Sequence, residues 1–328
     1  MEEKIKFIEY NDGKDTSIRY VSDNKYKNNT EKRYRVLRRR DEAGDIAVPG
    51  LESTNVCGRL CTTMAPQGHT VTDKYILVSA YDFTGQFESV VYIVGRQDVN
   101  KVATLILPDR IHAGGIAFGK SAGKNYLFVC DYSLSDNRNR IVAIEENVLD
   151  TVYGLCGKGV KSVRLSGYSQ IFTGLLPDNH ASCCCYFEGK LWVGTFDGKK
   201  CGVIGVYDFA EEKKNSLKLS FSLKAPKKLQ GISVWREGGI LQIATSSSYG
   251  KSSSVLNRYF VKKRGTEFVL AKRCRRIKLP PYLEEIFFDG KERRISMVFE
   301  SSAAKYNRTP FEVDRIVHIP AKRIWKDF

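Results

Sequence analysis

The chain has 328 residues and a formal net charge of +16 at pH 7, and 42% of its residues are hydrophobic. This hydrophobic content supplies a sizeable core and excludes a wholly disordered chain. No apolar run approaches the ~18 residues that a membrane-spanning helix requires, so we expect no membrane partner. Residues 1–4 lack the charged and then apolar pattern of a signal peptide, which predicts a cytoplasmic protein.

Residues 1–60 are predicted to form an N-terminal arm that precedes the main domain at 61–328. Two segments of the arm are strand-like, 5–10 and 34–38, and a basic, Asn-rich stretch runs from 24 to 40. The arm is therefore expected to be either loose or part of the main domain's closure.

From residue 67 onward the sequence contains a degenerate internal repeat. Each repeat opens with a short run of strand-forming residues, which a tight polar turn joins to a second such run. The opening runs are 67–72, 114–118, 182–187, 230–235 and 284–288. The second runs are 75–80, 126–130, 191–195, 240–245 and 295–299.

A third run follows in every repeat and a fourth in most of them. The third runs are 89–94, 140–144, 203–209, 254–261 and 313–319, and the fourth are 102–107, 160–165, 217–223 and 274–279. Prolines follow several fourth runs, as expected where the chain crosses between sheets and needs no ladder hydrogen bond. An insertion at 165–176 precedes the third repeat, and no stretch of 12 or more residues has sustained helical periodicity.

Four antiparallel strands repeated five times predict an all-β fold, a single five-bladed β-propeller with four-stranded blades. The fifth repeat lacks a fourth strand, so an N-terminal strand is expected to complete it. Of the two candidates, 34–38 is preferred to 5–10, and 322–325 competes with both. A monomer is expected.

The direction of the strands predicts where the working face lies. The first strand of each blade runs along the central channel from top to bottom and the second returns, so residues before strand one and after strand two should meet at the top. The predicted ligand-binding residues are Gln67, His69, His112, His180, Gln230, Tyr249 and Lys251. The candidate catalytic residues are Glu284 and Glu300, since two neighbouring carboxyls can raise one pKa. Three of the four histidines are thus expected at one channel mouth.

Neither a metal nor another cofactor is predicted. His112, His180 and Glu284 would be reasonable metal ligands, but no motif with ligand spacing supports a site. Cys57 and Cys61 lack a second pair at zinc-finger spacing. The remaining cysteines include three in succession, 183–185, which are expected to be small buried hydrophobes in a reducing compartment.

The pair Gln230-Gly231 and the run 247–253, Ser-Ser-Tyr-Gly-Lys-Ser-Ser, resemble the plant-type glutaminyl cyclases, which are five-bladed propellers. This resemblance implies aminoacyltransferase chemistry with a catalytic Glu and several Trp residues in the pocket, whereas Trp192 and Trp235 fall within strand patterns. The phrases at 66–68, 112–117 and 299–303 resemble an uncharacterised group of bacterial propeller proteins. That second resemblance implies the fold and is silent on function.

Three functions remain open from the sequence. The first is binding of a small polar ligand, such as a sugar, a peptide terminus or a metabolite, at the channel mouth. The second is an enzyme, either glutaminyl-cyclase-like or a hydrolase that uses Glu284 or Glu300. The third is a basic scaffold for protein or nucleic acid. Nucleic acid is possible but not favoured, because the basic residues fall mostly in turns and on outer strands, and no recognition motif is present.

Overall fold

The computed structural model describes residues 5–133, 138–210, 215–306 and 309–325. Before the first blade the described chain forms several short elements. They are β1 (Phe7–Tyr10), α1 (Asp23–Lys25), a π-helical turn (Tyr26–Thr30), α2 (Glu31–Arg33), the 3₁₀ helices Arg35–Arg39 and Glu42–Gly44, β2 (Ile46–Ala47), and the hairpin of β3 (Thr54–Val56) and β4 (Arg59–Cys61). None of the described helices combines the length and apolar composition that crossing a membrane requires.

Blades one and two follow. Blade one contains β5 (Met64–Val71), β6 (Tyr75–Asp82), β7 (Val90–Gly95) and β8 (Val102–Ile106). Blade two contains β9 (Ile116–Ser121), β10 (Lys124–Ser133) and β11 (Arg138–Glu145); then come α3 (Glu146–Cys156), β12 (Ser162–Leu165) and the fourth strand of blade two, β13 (Gln170–Phe172).

The other three blades take the chain to its C-terminal helix. Blade three contains β14 (Cys183–Phe187), β15 (Lys190–Gly194), β16 (Val203–Phe209) and β17 (Leu217–Lys224). Blade four contains β18 (Leu229–Glu237), β19 (Ile240–Ser247), β20 (Ser254–Arg264) and β21 (Glu267–Leu279). Blade five contains β22 (Leu283–Asp289), β23 (Arg294–Phe299) and β24 (Arg315–Pro320); a 3₁₀ helix (Ala304–Tyr306) lies between the last two, and α4 (Ala321–Ile324) follows.

The predicted five-bladed β-propeller is therefore confirmed across the described residues. In every blade the strand nearest the channel is the first in sequence, and its neighbours follow outward as antiparallel partners. The hydrophobic core is divided among the five blade-to-blade interfaces, each of which contains its own cluster of buried side chains. This arrangement leaves the channel ends free to carry polar groups.

An N-terminal strand closes the ring, as predicted, but it is not the strand that was preferred. Closure is by β2, whose two residues pair with Ile316 and Arg315 of β24. The preferred segment 34–38 lies largely in a 3₁₀ helix, because Tyr34 and Leu37 are three residues apart and are both buried against the blade-four and blade-five cluster. The division of the chain at residue 60 stays a prediction.

The other two closing candidates also have different roles. Segment 5–10 contains β1, which pairs with β12 and extends blade one outward. Segment 322–325 contains most of α4 and ends at Trp325, whose ring stacks on Trp235 at a centroid distance of 5.3 Å. Both segments cover blade edges or interfaces rather than completing blade five.

The predicted fourth strand of the second repeat, 160–165, is also wrong. It contains β12, which runs parallel to β8 and belongs to the sheet of blade one, while β13 completes blade two. The intervening helix α3 causes the difference. Its residues Val148, Leu149 and Val152 are buried in the cluster between blades one and two, so the chain emerges beside blade one.

Candidate functional site

A cavity of 640 Å³ opens at the end of the channel where the first strands begin and the second strands end. Side chains from all five blades line it. They include Gln67 and Tyr81 of blade one, His112 and Tyr132 of blade two, His180 and Phe196 of blade three, Gln230, Tyr249 and Lys251 of blade four, and Tyr282, Glu284, Glu300, Lys305 and Tyr306 of blade five. The strand directions inferred from the sequence therefore lead to the end of the channel where this cavity lies.

In blades one to four an aromatic side chain stands at or just beyond the end of the second strand, and in blade five one stands at the end of the 3₁₀ helix that follows β23. These five residues form the wall of the cavity: Tyr81, Tyr132, Phe196, Tyr249 and Tyr306. Of these five residues, only Tyr249 was among the predicted ligand-binding residues. The signal that identifies four of these residues is an aromatic side chain near the end of the second run of the repeat, rather than polarity; Tyr306 lies farther from its strand and has no such signal.

Histidines that precede the first strands pair with the tyrosines of neighbouring blades. The His180 ring stacks on Tyr132 at 4.3 Å between centroids and 9° between planes, and His112 packs on Tyr81 at 4.5 Å. Phe196 and Tyr249 meet less closely, at 6.1 Å. The wall therefore offers flat aromatic and imidazole faces and few charged groups.

Four polar side chains form the floor of the cavity: Gln67, Gln230, Glu284 and Glu300. Gln67 Nε2 donates a hydrogen bond to Glu300 Oε2 at 2.9 Å, and Gln230 Nε2 donates to Glu284 Oε1 at 3.3 Å. Gln67, Glu284 and Glu300 have only 4%, 6% and 7% of their surface exposed. Such groups are costly to bury unless they are hydrogen-bonded, and these form one connected network.

Glu284 and Glu300 are neighbours in this network, and two adjacent buried carboxyls are more stable when one of them carries a proton. Burial raises the pKa of Glu284 well above its ordinary value, and the nearby charge of Glu300 raises it further. Burial also raises the pKa of Glu300, but hydrogen bonds from Tyr306 and Gln67 oppose that rise. The geometry therefore favours Glu284 as the protonated acid and Glu300 as the carboxylate.

Lys305 offsets the remaining negative charge. Its Nζ donates a hydrogen bond to the Tyr81 hydroxyl at 2.7 Å and lies 5.1 Å from the centre of the Tyr306 ring. Both tyrosines belong to the cavity wall, so the ammonium group is held at the same end of the channel as the carboxyl pair. The floor and its surroundings are consequently close to neutral overall.

Glu285 lies deeper than its neighbour. It is 1% exposed, and its Oε1 accepts hydrogen bonds from the backbone N–H groups of Ile232 at 3.1 Å and Ile286 at 3.2 Å. Its own strand, β22, shifts register against β23 between Leu283 and Ile286, which allows two successive glutamates to be buried. Glu284 alone of the pair lines the cavity.

The structure does not place His69 with the other predicted site residues, so that part of the prediction is corrected. His69 is buried and lines a separate cavity of 270 Å³ toward the other end of the first strands. Its Nε2 is 2.8 Å from Ser296 Oγ, and its Nδ1 is 3.2 Å from the Leu77 carbonyl oxygen. A bulge between Pro66 and His69 and the two further residues of strand carry this side chain below the mouth.

Other side chains of the chain have structural roles. Asp131 at the end of β10 accepts a hydrogen bond from Arg140 Nε at 2.7 Å and does not line the cavity. Trp192 and Trp235 pack within blade interfaces, so neither supplies the pocket Trp that the glutaminyl cyclase resemblance implies.

Within the described residues, no three His, Cys, Asp or Glu side chains are grouped as a metal site. Burial raises the pKa values of Cys183 and Cys184, which favours the thiol forms.

No protein-family model matches this chain, and no curated protein matches it. Solved structures similar to it include an exo-β-1,3-galactanase from Phanerochaete chrysosporium with β-1,3-galactotriose, at 11% identity and a TM-score of 0.48, which covers 84% of this chain. This chain spans only 64% of that galactanase. A GH43_1 enzyme from Xanthomonas citri complexed with xylotriose aligns at 12% identity and a TM-score of 0.47, covering 87% of this chain and 92% of the enzyme. The fold assignment rests on the strand pairing described above.

Proposed function

We propose that this protein binds a small polar molecule, with a neutral sugar as the favoured class, in the 640 Å³ cavity at the channel mouth. The observation that carries the proposal is the convergence of all five blades on one concave site. Largely apolar cavities of this size with a few fixed polar groups are the usual form of small-molecule sites. The aromatic wall and the hydrogen-bonded floor have that form.

The chemistry of the floor supports a neutral polyhydroxylated ligand. The Gln67 and Gln230 amides and the carboxyl pair offer both hydrogen-bond donors and acceptors. A hydroxyl group can pair with either kind, because it both donates and accepts hydrogen bonds. The proton on the carboxyl pair and the charge of Lys305 leave little net charge at the floor. A cationic peptide terminus would therefore gain little electrostatic binding energy there. The rings of Tyr132 and His180 provide a flat face for the apolar side of a sugar ring.

Binding can be tested by isothermal titration with a panel of neutral mono- and oligosaccharides, and with amino-terminal peptides as a comparison. We expect Gln67→Ala and Tyr132→Ala to weaken binding about tenfold each, because a lost hydrogen bond or ring contact costs roughly 1–1.5 kcal/mol. The control Lys120→Ala alters an exposed residue of blade two outside the cavity and should bind as the parent does. If none of the sugars binds, or if the two cavity variants bind as well as the parent, the proposal fails.

A second candidate function is acid catalysis by Glu284. The observation that favours it is a protonated, buried carboxyl at the floor of a cavity, since perturbed pKa values are concentrated at catalytic sites. The directly hydrogen-bonded pair does not match glycosidases, whose two carboxyls stand ~5–9.5 Å apart with the sugar between them. Chemistry on an amino-terminal glutamine fits the spacing better, because it needs one general acid rather than two separated carboxylates.

Incubation with a peptide that begins with Gln tests this second candidate. Cyclisation would release ammonia and lower the peptide mass by one ammonia molecule. Glu284→Gln should abolish it, while Glu188→Gln on the exposed turn of blade three should not. A peptide mass that stays constant at high enzyme concentration would remove this candidate and leave the binding proposal untouched.

A further inference from the structure

The positive charge of this chain is distributed very unevenly. Residues 183–279, which make up blades three and four, contain 20 Lys and Arg but only seven Asp and Glu. Residues 24–40 add eight Lys and Arg against one Glu. Together these two segments carry more than the whole net charge of +16, so the rest of the chain is slightly acidic. Such an asymmetry indicates a localised electrostatic surface rather than a uniformly solvated rim.

The fold brings the two basic segments together. The 3₁₀ helix Arg35–Arg39 of the N-terminal segment packs against β21, the outermost strand of blade four. Beside it, Tyr34 hydrogen-bonds through its hydroxyl to Ser253 Oγ at 2.9 Å. Arg35, Arg38 and Arg39 are exposed. We use the name basic edge for these three arginines together with the hairpin of β20 and β21.

The hairpin is the most charged part of the basic edge. Its residues 254–279 include nine Lys and Arg and a single acidic residue, Glu267. The exposed members Lys262, Lys263, Arg264, Arg276 and Lys278 have no carboxylate partner among the residues that the structure describes. By contrast, basic residues elsewhere, such as Lys74 and Lys190, form ion pairs.

Aromatic side chains adjoin these charges. Phe268 lies opposite Lys263 in the β20–β21 ladder, so both side chains are on the same face of the hairpin. The Phe268 ring stacks on Phe221 of β17 at 4.0 Å and 26°, which joins the outer strands of blades three and four. Both rings are only partly buried. A partly exposed aromatic pair beside an unpaired cation, here Lys263, is a combination that single-stranded nucleic acids bind, and Lys262 and Arg264 add charge on the opposite face of the hairpin.

We infer that the basic edge binds single-stranded nucleic acid through its phosphate backbone. Successive side chains on one face of a strand stand ~6.6 Å apart, so Lys262 with Arg264, and Arg276 with Lys278, form rows of charge along an extended chain. Lysines on an edge strand also prevent sheets from pairing edge to edge. That role requires no basic 3₁₀ helix beside the strand and no aromatic pair, so it does not account for the whole basic edge.

The test is fluorescence anisotropy of the full-length protein with labelled 20-nucleotide uridine and thymidine single strands over a series of salt concentrations. We expect binding at low salt that weakens linearly in a plot of log K against log salt. The variant Lys262→Gln/Lys263→Gln/Arg264→Gln should reduce the steepness of that slope by about 2, because each phosphate contact contributes ~0.7 for a single strand. The control Lys14→Gln/Lys120→Gln/Lys158→Gln removes the same charge from exposed positions away from the basic edge and should keep the parent slope.

Circular dichroism melting of both triple variants checks that they fold. No binding to either single strand at low salt would overturn the inference, as would equal losses in the two variants. Binding confined to duplexes, or to vesicles containing phosphatidylserine, would also overturn it, because the occupant would then be of another class. This inference does not depend on the cavity, so sugar binding and strand binding can succeed or fail separately.

Discussion

The buried carboxyl pair makes a quantitative prediction about how the stability of the protein depends on pH. The folded state raises the pKa of Glu284 well above the ordinary value of 4.5, mainly through burial. A raised pKa means that the folded protein binds this proton more tightly than the unfolded chain does. The stabilising contribution is therefore complete below pH 4.5 and is lost as the pH rises toward the folded-state pKa. Within that window, the titration of such a group lowers the free energy of unfolding by about 1.4 kcal/mol per pH unit.

Replacing Glu284 with Gln should remove this dependence while keeping the hydrogen bond. The Gln amide N–H can donate to the Glu300 carboxylate, as the protonated Glu284 does, and it does not titrate. We expect the free energy of unfolding of Glu284→Gln to fall less steeply above pH 4.5, with a difference of about 1.4 kcal/mol per pH unit from the parent. Urea unfolding at pH 5, 6, 7 and 8, followed by tryptophan fluorescence, measures both curves.

The matched control is Glu188→Gln. Glu188 is exposed, and its ion pair with Arg236 lowers its pKa, so it is mostly ionised at pH 5 and ionised at the higher pH values in both the folded and the unfolded state. Its curve should run parallel to that of the parent. Parallel curves for the parent and Glu284→Gln would refute the reasoning, because they would mean that Glu284 is not a buried, proton-sharing acid.

Two further predictions concern the channel interior. A side-chain carbon added at Gly231 would lie 2.5 Å from Glu285 Oε1 and 2.8 Å from the Glu284 carbonyl oxygen. Gly231→Ala should therefore lower the free energy of unfolding in urea by ~1–3 kcal/mol. An unchanged unfolding midpoint would contradict this close packing. Burial lowers the pKa of His69 to about 4, so its contribution to stability is present above the unfolded value of 6.5 and is lost as the pH falls toward 4. His69→Gln should therefore lose less stability than the parent between pH 6.5 and 4, by up to ~1.4 kcal/mol per pH unit, and a slope equal to the parent's would mean that His69 is not buried in the neutral form.

Most of the ring could be predicted from the sequence because each blade is a local structure. Its strands alternate with short turns, and the five opening runs mark the channel strands without any knowledge of the whole. The repeat pattern does not show which strands pair when they are far apart in the sequence. Strand β2 has only two residues, and its role is set by the open edge of β24 rather than by its own composition. The segment that contains β12 is recognisably strand-like, but α3 determines which sheet it joins.

The candidate site could be predicted in part from the direction of the strands. Irregularities within a strand could not be predicted. Chain direction places Gln67, His112 and Glu284 at one mouth, since each stands near the start of a first strand. A bulge shifts side chains along and across a strand, and no residue pattern showed the bulge that moves His69 away. The proximity of Glu284 and Glu300 was expected, because Glu300 follows the second strand of the blade whose first strand carries Glu284. Which of the two holds the proton depends on the hydrogen bonds that Glu300 accepts from Tyr306 and Gln67, and the residue pattern does not show those bonds.

The five-fold repeat produces a cavity whose wall is regular and whose floor is not. The hydrogen-bonding floor comes from neighbouring blades, with Gln230 on blade four, Glu284 and Glu300 on blade five, and Gln67 on blade one. Blades two and three contribute the stacked Tyr132 and His180 instead. A ligand with one polar edge and one flat face would therefore have a single preferred orientation, with its hydroxyls toward blades four, five and one. On this reasoning, changes at Gln67 should alter which hydroxyl pattern is accepted, whereas changes at Tyr132 should weaken all ring-shaped ligands alike.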